Sequence, residues 1–208
     1  MPLEEAMTTQ RAIRRLRPDP VDDALVLRLI ALALKAPTGS NAQNWQFVIV
    51  KDPAVKARLA ALNRRAWRLY GGIGRWLARD DPPMQRIIQA VQWQADHFEE
   101  IPVLVVACLR GVIPPLPRVA AASAYGSIFP SVQNLLLAAR AVGLGAALIT
   151  LPLWSTFLAR RALGLPWTVT PCAVVPLGWP RGRYGPTTRR PVGEVVHVDR
   201  WGNQPFRG

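Results

Sequence analysis

Small and amide-bearing residues are concentrated in the segment APTGSNAQNWQF, residues 36–47. Pro37 and Gly39 alone are sufficient to end a helix and turn the chain. Asn41 and Gln43 are not needed for that turn, and each amide can both donate and accept hydrogen bonds. This combination suits the edge of a planar heterocycle. A helix cap and a bridged turn explain the same spacing equally well.

Arginines form the second group with chemical potential. Arg11 and Arg14 lie three apart in a helix predicted over residues 5–15, which places them on one face. Residues 180–191 (PRGRYGPTTRRP) are basic and rich in turn formers. The chain has 23 Arg, 3 Lys and a net charge of +13. That charge indicates either a nucleic-acid or membrane-surface partner or a general bias toward arginine. The bias is favoured, because no basic stripe interleaved with aromatic residues is present.

Other residue types exclude several classes of protein. Cys108 and Cys172 lie in apolar runs and indicate buried thiols rather than a disulfide framework. With only His97 and His197, no metal site is expected. The N-terminus lacks an apolar signal core, and the apolar stretch 141–154 is too short to cross a bilayer. We therefore expect a soluble cytoplasmic protein without membrane or nucleic-acid partners.

The elements follow from apolar periodicity and chain breakers. Further helices are predicted at 24–35, 53–70, about 84–98, 121–142 and 155–163. Strands are predicted at 48–50, 103–109, 146–151, 170–177 and 192–198. Glycines and prolines predict a mobile loop at 71–83 and an irregular segment at 111–120.

Strands that arrive singly between helices indicate an α+β fold with mixed α/β layers. We expect one domain over residues 1–208, with 180–208 as an extended C-terminal arm. A compact monomer explains such a long arm poorly, whereas an arm that reaches a second subunit explains it well.

Four patches in order resemble the nitroreductase family of FMN-dependent oxidoreductases. They are QRAIRRL (10–16), APTGSNAQNWQF (36–47), SVQNLLLAARAVGLGAALITL (131–151) and PLGWPRGRYGPTTRRPVGEVV (176–196). The resemblance implies a small, mostly antiparallel sheet flanked by helices, in a homodimer where the C-terminal arm adds a strand to the partner. It also implies FMN at the subunit interface and NADH or NADPH as reductant.

The resemblance also assigns roles to residues. Arg11, Ala12 and Arg14 would hold the FMN phosphate and ribityl chain, with Arg189 as a second phosphate cation and Arg190 assisting. Pro37, Thr38, Asn41 and Gln43 would bound the flavin ring, and the backbone of Thr150 and Leu151 would lie beside flavin N5. Ala12 replaces the usual serine, so one hydroxyl contact is missing. Each arginine taken alone is explained as a solvated surface cation, and 148–151 as an ordinary buried strand.

The implied activity is hydride transfer from NAD(P)H to flavin N5, followed by reduction of a small nitroaromatic, quinone or similar acceptor in a ping-pong cycle. No side chain need act as a catalytic acid, base or nucleophile. Two alternatives remain at this point. One is a flavoenzyme of the same fold with different chemistry, such as heterocycle oxidation, dehalogenation or flavin remodelling. The other is a basic nucleic-acid-binding protein.

Overall fold

The computed structural model describes residues 1–111, 113 and 117–207. Four antiparallel strands form one sheet in the order β1-β2-β4-β3. They are β1 Trp45–Val50, β2 Val103–Arg110, β3 Gly145–Ala146 and β4 Val169–Gly178. The described residues also form six α-helices: α1 Leu3–Thr9, α2 Asp23–Ala33, α3 Pro53–Leu77, α4 Pro82–Asp96, α5 Arg118–Ala141 and α6 Thr156–Leu163. The predicted α+β class and antiparallel sheet are confirmed.

The sheet is covered on both faces, which is why β2 and β4 read as continuous apolar runs. On one face, α2 and α5 contribute Leu29 and Leu135 to a cluster with Val105 of β2. On the other face, Leu59 of α3 packs with Leu104 of β2. The core therefore lies on both sides of the two central strands.

Local signals set the starts of the two helices that bound the site described below. The Asp52 carboxylate accepts a hydrogen bond from the Val55 N–H at 2.9 Å, and Pro53 is the first residue of α3. Asp81 caps α4 in the same way, through the Met84 N–H at 3.0 Å.

The first predicted helix is wrong beyond Thr9. Residues 10–17 are extended along the sheet edge, where the Ile13 N–H donates to the Ala146 carbonyl at 2.9 Å and Leu16 bridges Pro180. Arg11 and Arg14 are therefore not on a helix face. Pairing with the sheet outweighed the local helical pattern.

The predicted mobile loop at 71–83 is also wrong. Helix α3 continues to Leu77 and α4 begins at Pro82. A glycine in a helix costs only about 1 kcal/mol relative to alanine, which tertiary packing can offset. Gly71 has a packing reason, because a Cβ built there would lie 2.7 Å from a ring carbon of Trp67.

Two predicted strands differ from the structure. The strand at 146–151 is limited to Gly145–Ala146, followed by a single bridge from Ile149 to Val174 and a 3-10 helix at Leu151–Leu153. Within the described chain, 192–198 holds a 3-10 helix at Val192–Glu194 and no strand. Pairing of this arm with a partner subunit stays a prediction.

The other predicted helices match within a few residues, and α5 runs through Pro130. Of the predicted irregular segment 111–120, residues 118–120 are helical. Val112 and residues 114–116 lie outside the described residues.

Candidate functional site

An arginine-lined cavity of about 670 Å³ lies between the two chain ends and helix α4. We call it the arginine cavity. Its lining consists of Gln10, Arg11, Ala12, Arg14, Pro83, Arg86, Ile87, Ala90, Pro186, Thr187, Thr188 and Arg189. Its volume is within the range of small-molecule sites.

Backbone pairing holds the walls of the arginine cavity. The C-terminal arm returns to the start of the same chain, where the Thr187 N–H donates to the Thr8 carbonyl at 3.0 Å. Tyr184 anchors the arm by donating its hydroxyl to the Leu144 carbonyl. Arg11 and Arg189, from opposite ends of the sequence, therefore meet in one cavity.

The electrostatics of this cavity favour an anion. Among the described residues, no Asp or Glu carboxylate lies within 4.0 Å of the Arg11, Arg14, Arg86 or Arg189 guanidinium. Burial lowers the pKa of Arg14 from its ordinary value, because the charged form is partly desolvated. A phosphate would compensate these unpaired cations with fork-shaped hydrogen bonds.

A second cavity of about 350 Å³, the ring cavity, shares Arg14 with the first. Its lining consists of Arg14, Asn63, Trp67, Tyr70, Val91, Gln94, Leu148, Ile149, Thr150, Leu151 and Trp154. Because Arg14 lines both, one ligand can place a charged end in the arginine cavity and an uncharged end in the ring cavity.

Residues with unpaired donors lie in the wall of the ring cavity. The Gln94 side chain is only 3% exposed, and its Nε2 has no hydrogen-bond partner. Such a buried unpaired donor costs about 1–3 kcal/mol unless a ligand accepts from it. Within the described part of the chain, the backbone N–H groups of Thr150 and Leu151 also donate to no backbone acceptor. These donors fit the acceptor atoms along a heterocycle edge.

The predicted ring segment, residues 37–43, lies elsewhere and is called the amide loop. It packs on α5, where the Gly39 N–H donates to the Ser127 hydroxyl at 3.1 Å. Gln43 donates its side-chain amide to the Asn41 Oδ1 at 3.1 Å. Ser40, Asn41 and Gln43 all adopt positive φ angles of 46–51°. Non-glycine residues seldom adopt this left-handed backbone, which is concentrated at functional loops.

The amide loop and the arginine cavity lie at diagonally opposite corners of the sheet. The loop leads into edge strand β1 where Trp45 pairs with Leu109, near the start of β4. Residues 10–17, which carry Arg11 and Arg14, lie beside the opposite edge strand, β3. There the Arg17 N–H donates to the carbonyl of Trp179, just beyond the end of β4. The corners are about 14 Å apart across the strands and about 30 Å apart along them, from strand geometry. Within one chain, the structure therefore does not bring the amide loop to the arginines.

The predicted site residues thus fall into three groups. Arg11, Ala12, Arg14 and Arg189 line the arginine cavity, and Thr150 and Leu151 line the ring cavity with Arg14. Pro37, Thr38, Asn41 and Gln43 form the amide loop. Arg190 faces a separate hollow that contains His197 and Trp201.

Sequence reasoning missed Arg86, Asn63 and Gln94. These residues lie on α3 and α4, where each is one polar position in an amphipathic helix. The sequence indicates Gln94 only weakly, because its burial next to Ala95 in α4 is visible only in the structure. Only the meeting of two helices, which the sequence does not show, places them around one cavity.

Among the described residues, no group of three or more His, Cys, Asp or Glu side chains could hold a metal ion. The two cysteines are buried, and burial raises the pKa of Cys108 to about 12 and that of Cys172 to about 11. Both thiols are therefore protonated and unreactive at neutral pH. No helix in the described part of the chain is long and apolar enough to span a bilayer.

Comparison with known proteins decides the family. A model described as Nitroreductase family matches residues 7–179. The chain belongs to the nitroreductase family. This confirms the resemblance found in the four sequence patches and supports an oxidoreductase.

Individual relatives cover nearly the whole chain. A Thermus thermophilus protein named NADH dehydrogenase is 30% identical over 208 residues, covering 94% of this chain and 97% of that protein. A 5,6-dimethylbenzimidazole synthase from Rhodospirillum rubrum is 28% identical over 190 residues, covering 86% and 82%. The crystal structure of a Desulfovibrio desulfuricans protein in complex with FMN matches with a TM-score of 0.69 at 24% identity, covering 94% and 95%. At that identity, the structural match shows the shared fold.

Proposed function

We propose that this nitroreductase-family protein is an FMN-dependent oxidoreductase that takes hydride from NAD(P)H and reduces a small quinone, nitroaromatic or similar acceptor. The observation that carries the proposal is the arginine cavity, in which four guanidinium groups have no carboxylate partner among the described residues. This cavity shares Arg14 with a ring cavity whose lining includes an unpaired amide donor. A phosphate joined by a flexible chain to a planar heterocycle matches this sequence of environments. The FMN complex of a fold relative supports the same assignment.

The residues divide the binding work by chemistry. Arg11, Arg14 and Arg189 would hold the phosphate, and Arg14 would also meet the ribityl chain where the cavities join. Gln94 and the N–H groups of Thr150 and Leu151 would donate to acceptor atoms of the ring and orient it. Trp67 and Tyr70 contribute apolar walls that exclude water.

When bound, FMN supplies the redox chemistry by accepting hydride at N5 and releasing two electrons to an acceptor. Among the described residues, no carboxylate, histidine or cysteine lines either cavity. The protein side chains would therefore bind and orient, and the one net proton that the cycle consumes would come from solvent. Over one cycle, NAD(P)H, a quinone and one proton become NAD(P)⁺ and hydroquinone.

We further propose that the site is completed in a cytoplasmic homodimer, where the partner's amide loop meets the ring cavity. The diagonal separation of the two half-sites within one chain supports this arrangement. The amide loop, with its left-handed backbone, carries hydrogen-bond donors and acceptors but lines neither cavity of its own chain.

The test is reconstitution of the purified protein with FMN, followed by anaerobic addition of NADH and, separately, NADPH. We expect a yellow complex whose flavin absorbance is bleached by at least one nucleotide and restored by a quinone. A protein that takes up no FMN, or whose flavin neither nucleotide reduces, would contradict the proposal.

The 5,6-dimethylbenzimidazole synthase relative favours a second candidate, a reaction of the same fold with different chemistry. The two candidates differ in the fate of the flavin. A reductase returns its flavin absorbance in full after every cycle of reduction and reoxidation. Progressive loss of that absorbance in oxygen, with a new aromatic product, would favour the second candidate.

A further inference from the structure

The second half of α3 exposes a row of large apolar side chains. Leu69, Tyr70, Ile73 and Trp76 are 63%, 58%, 63% and 72% exposed. Their spacing places them on one side of the helix, and we call them the α3 apolar face. A contiguous exposed patch of this kind marks an interaction site in a folded protein.

Arginines flank this face without acidic neighbours on the same helix. Arg65, Arg68 and Arg75 are exposed, and α3 contains no Asp or Glu from Pro53 to Leu77. Among the described residues, no Asp or Glu carboxylate lies within 4.0 Å of these three guanidinium groups. The opposite side of α3 packs against α4, where the Trp67 Nε1–H donates to the Gln92 Oε1 at 2.7 Å. Arg75 lies at the border of the two sides, because its Nη1 donates to the same Oε1 at 3.3 Å while the residue stays exposed. The helix thus presents an apolar face and a basic flank to the outside.

We propose that the α3 apolar face docks on the surface of a membrane that contains anionic lipids. A helix with Trp, Tyr and Leu on one side and arginines beside them is the pattern of an interfacial helix, which lies in the plane of the membrane. The arginine stems can lie along the apolar boundary while their guanidinium groups contact lipid phosphates. The net charge of +13 adds long-range attraction to an anionic surface.

The residue types of the α3 apolar face favour a membrane over nucleic acid, the other partner that a basic protein commonly binds. A nucleic-acid site would use the arginines but has no use for exposed Leu69 and Ile73. Sequence analysis predicted no membrane partner because the arginines formed no evident stripe with aromatic residues. Residues 71–83 were predicted to form a loop, which would have no apolar face, whereas α3 continues to Leu77 and has one.

Docking in this orientation has a consequence for the acceptor, which rests on the proposed function. Tyr70 belongs to the α3 apolar face and also lines the ring cavity. The side of that cavity that Tyr70 lines would therefore lie at the lipid surface, and the partner's amide loop would close another side. The acceptor class that fits is an apolar quinone dissolved in the membrane.

The experiment is co-sedimentation of the full-length protein with phosphatidylcholine vesicles, with and without about 30 mol % phosphatidylglycerol. We expect binding to the anionic vesicles that weakens as salt is added. The double variant Ile73→Ser/Trp76→Ser should bind at least about tenfold more weakly, because it loses apolar burial. Arg68→Gln and Arg75→Gln should each weaken binding roughly fivefold. The control Trp167→Ser removes a tryptophan that is 67% exposed beyond α6 and should bind like the wild type.

Circular dichroism and thermal unfolding verify that each variant is folded. Failure of the wild type to bind anionic vesicles would overturn the proposal, as would equal binding by the Ile73→Ser/Trp76→Ser variant. Binding of DNA in place of vesicles would also overturn it. Vesicle binding does not depend on flavin, so this result is separable from failure of the proposed activity. With flavin bound, the same variant should lose activity toward a long-chain quinone in vesicles and keep activity toward a soluble short-chain quinone.

Discussion

Arg14 joins the two cavities, and its side chain decides whether they act as one site. It lines both the arginine cavity and the ring cavity, and burial lowers its pKa while no carboxylate of the described residues compensates it. The guanidinium stays charged at neutral pH, because arginine titrates far above this range. Arg14 therefore has a partly buried positive charge that a bound anion would neutralise.

Replacing Arg14 should weaken FMN binding strongly. A hydrogen bond to a charged group contributes about 1.5–3 kcal/mol, so we expect Arg14→Gln to raise the FMN dissociation constant about 10- to 100-fold. Arg14→Lys keeps the charge but loses the forked pair of N–H donors, so its FMN dissociation constant should lie between those of the wild type and Arg14→Gln. Arg15→Gln, an exposed neighbour outside both cavities, is the matched control. Fluorescence titration measures all four proteins, and equal affinities would remove Arg14 from the site.

Replacing Gln94 should change the stability of the free protein and its FMN affinity in opposite directions. Gln94→Leu removes a buried donor that has no partner in the free protein. We expect the unfolding free energy without FMN to rise by about 1 kcal/mol and FMN affinity to fall about tenfold. The exposed Gln89→Leu on the same helix should change neither. If Gln94→Leu weakened the free protein and left FMN binding unchanged, the amide would have a structural role only.

Helix α3 shows how an element holds the site. Its residues Asn63, Trp67 and Tyr70 line the ring cavity, and Gly71 allows the Trp67 indole to lie against the helix backbone. The indole is fixed further by its hydrogen bond to Gln92 of α4. The wall of the ring cavity thus depends on a glycine that is not itself one of the lining residues.

The two adjacent glycines of α3 should respond oppositely to alanine. A Cβ on Gly71 would meet Trp67 at 2.7 Å, whereas a Cβ on Gly72 would meet no atom within 4 Å. We expect Gly71→Ala to destabilise the protein by about 1–3 kcal/mol through overpacking. Gly72→Ala should stabilise it by about 0.5–1 kcal/mol through helix propensity. Urea unfolding of the two variants gives both values, and a stabilising Gly71→Ala would show that the indole is not confined.

The sequence predicted most reliably the elements whose residue pattern follows directly from burial. Strands β2 and β4 are unbroken apolar runs because helices cover both faces of the sheet. The N-terminal arginines illustrate the opposite case, since their segment has a helical pattern but pairs with the sheet edge from Ile13 onward. The same holds for residues 71–77, where glycines indicate a break and the contact with Trp67 retains the helix.

The structure brings together in one cavity several residues that the family resemblance had grouped as phosphate ligands. Arg11 and Arg189 meet in one cavity although 178 positions separate them (189 − 11). Neither periodicity nor composition could show this, because the meeting depends on the return of the C-terminal arm along Thr8. Gln94 and Arg86 were missed for the same reason, as their helix reaches the cavity only through tertiary packing.

At the scale of the whole molecule, the proposed arrangement completes the site with a second chain. The amide loop and the arginine cavity occupy diagonal corners of the sheet, and rotation about a twofold axis can place each loop against the partner's cavity. FMN binding would then stabilise the dimer, because ligand and partner share one interface.

Mixed dimers test this arrangement. Arg11→Gln/Arg14→Gln disables the arginine cavity, and Asn41→Asp/Gln43→Glu replaces the amide donors with carboxylates of similar size. Each variant alone should bind almost no FMN. Co-expression should restore roughly a quarter of the wild-type sites, because half of the dimers are mixed and each of those has one intact site of two. No recovery in verified mixed dimers would mean that loop and arginines act within one chain.

The most direct measurement of the central claim is a parallel titration of the flavin-free protein with FMN and with riboflavin. The two ligands share the ring and the ribityl chain and differ only in the phosphate, so the comparison isolates the arginine cavity. We predict that FMN binds at least about 100-fold more tightly, since several charge-assisted hydrogen bonds are lost with riboflavin. Equal affinity for the two ligands, or binding of neither, would contradict the assignment of the arginine cavity to a flavin phosphate.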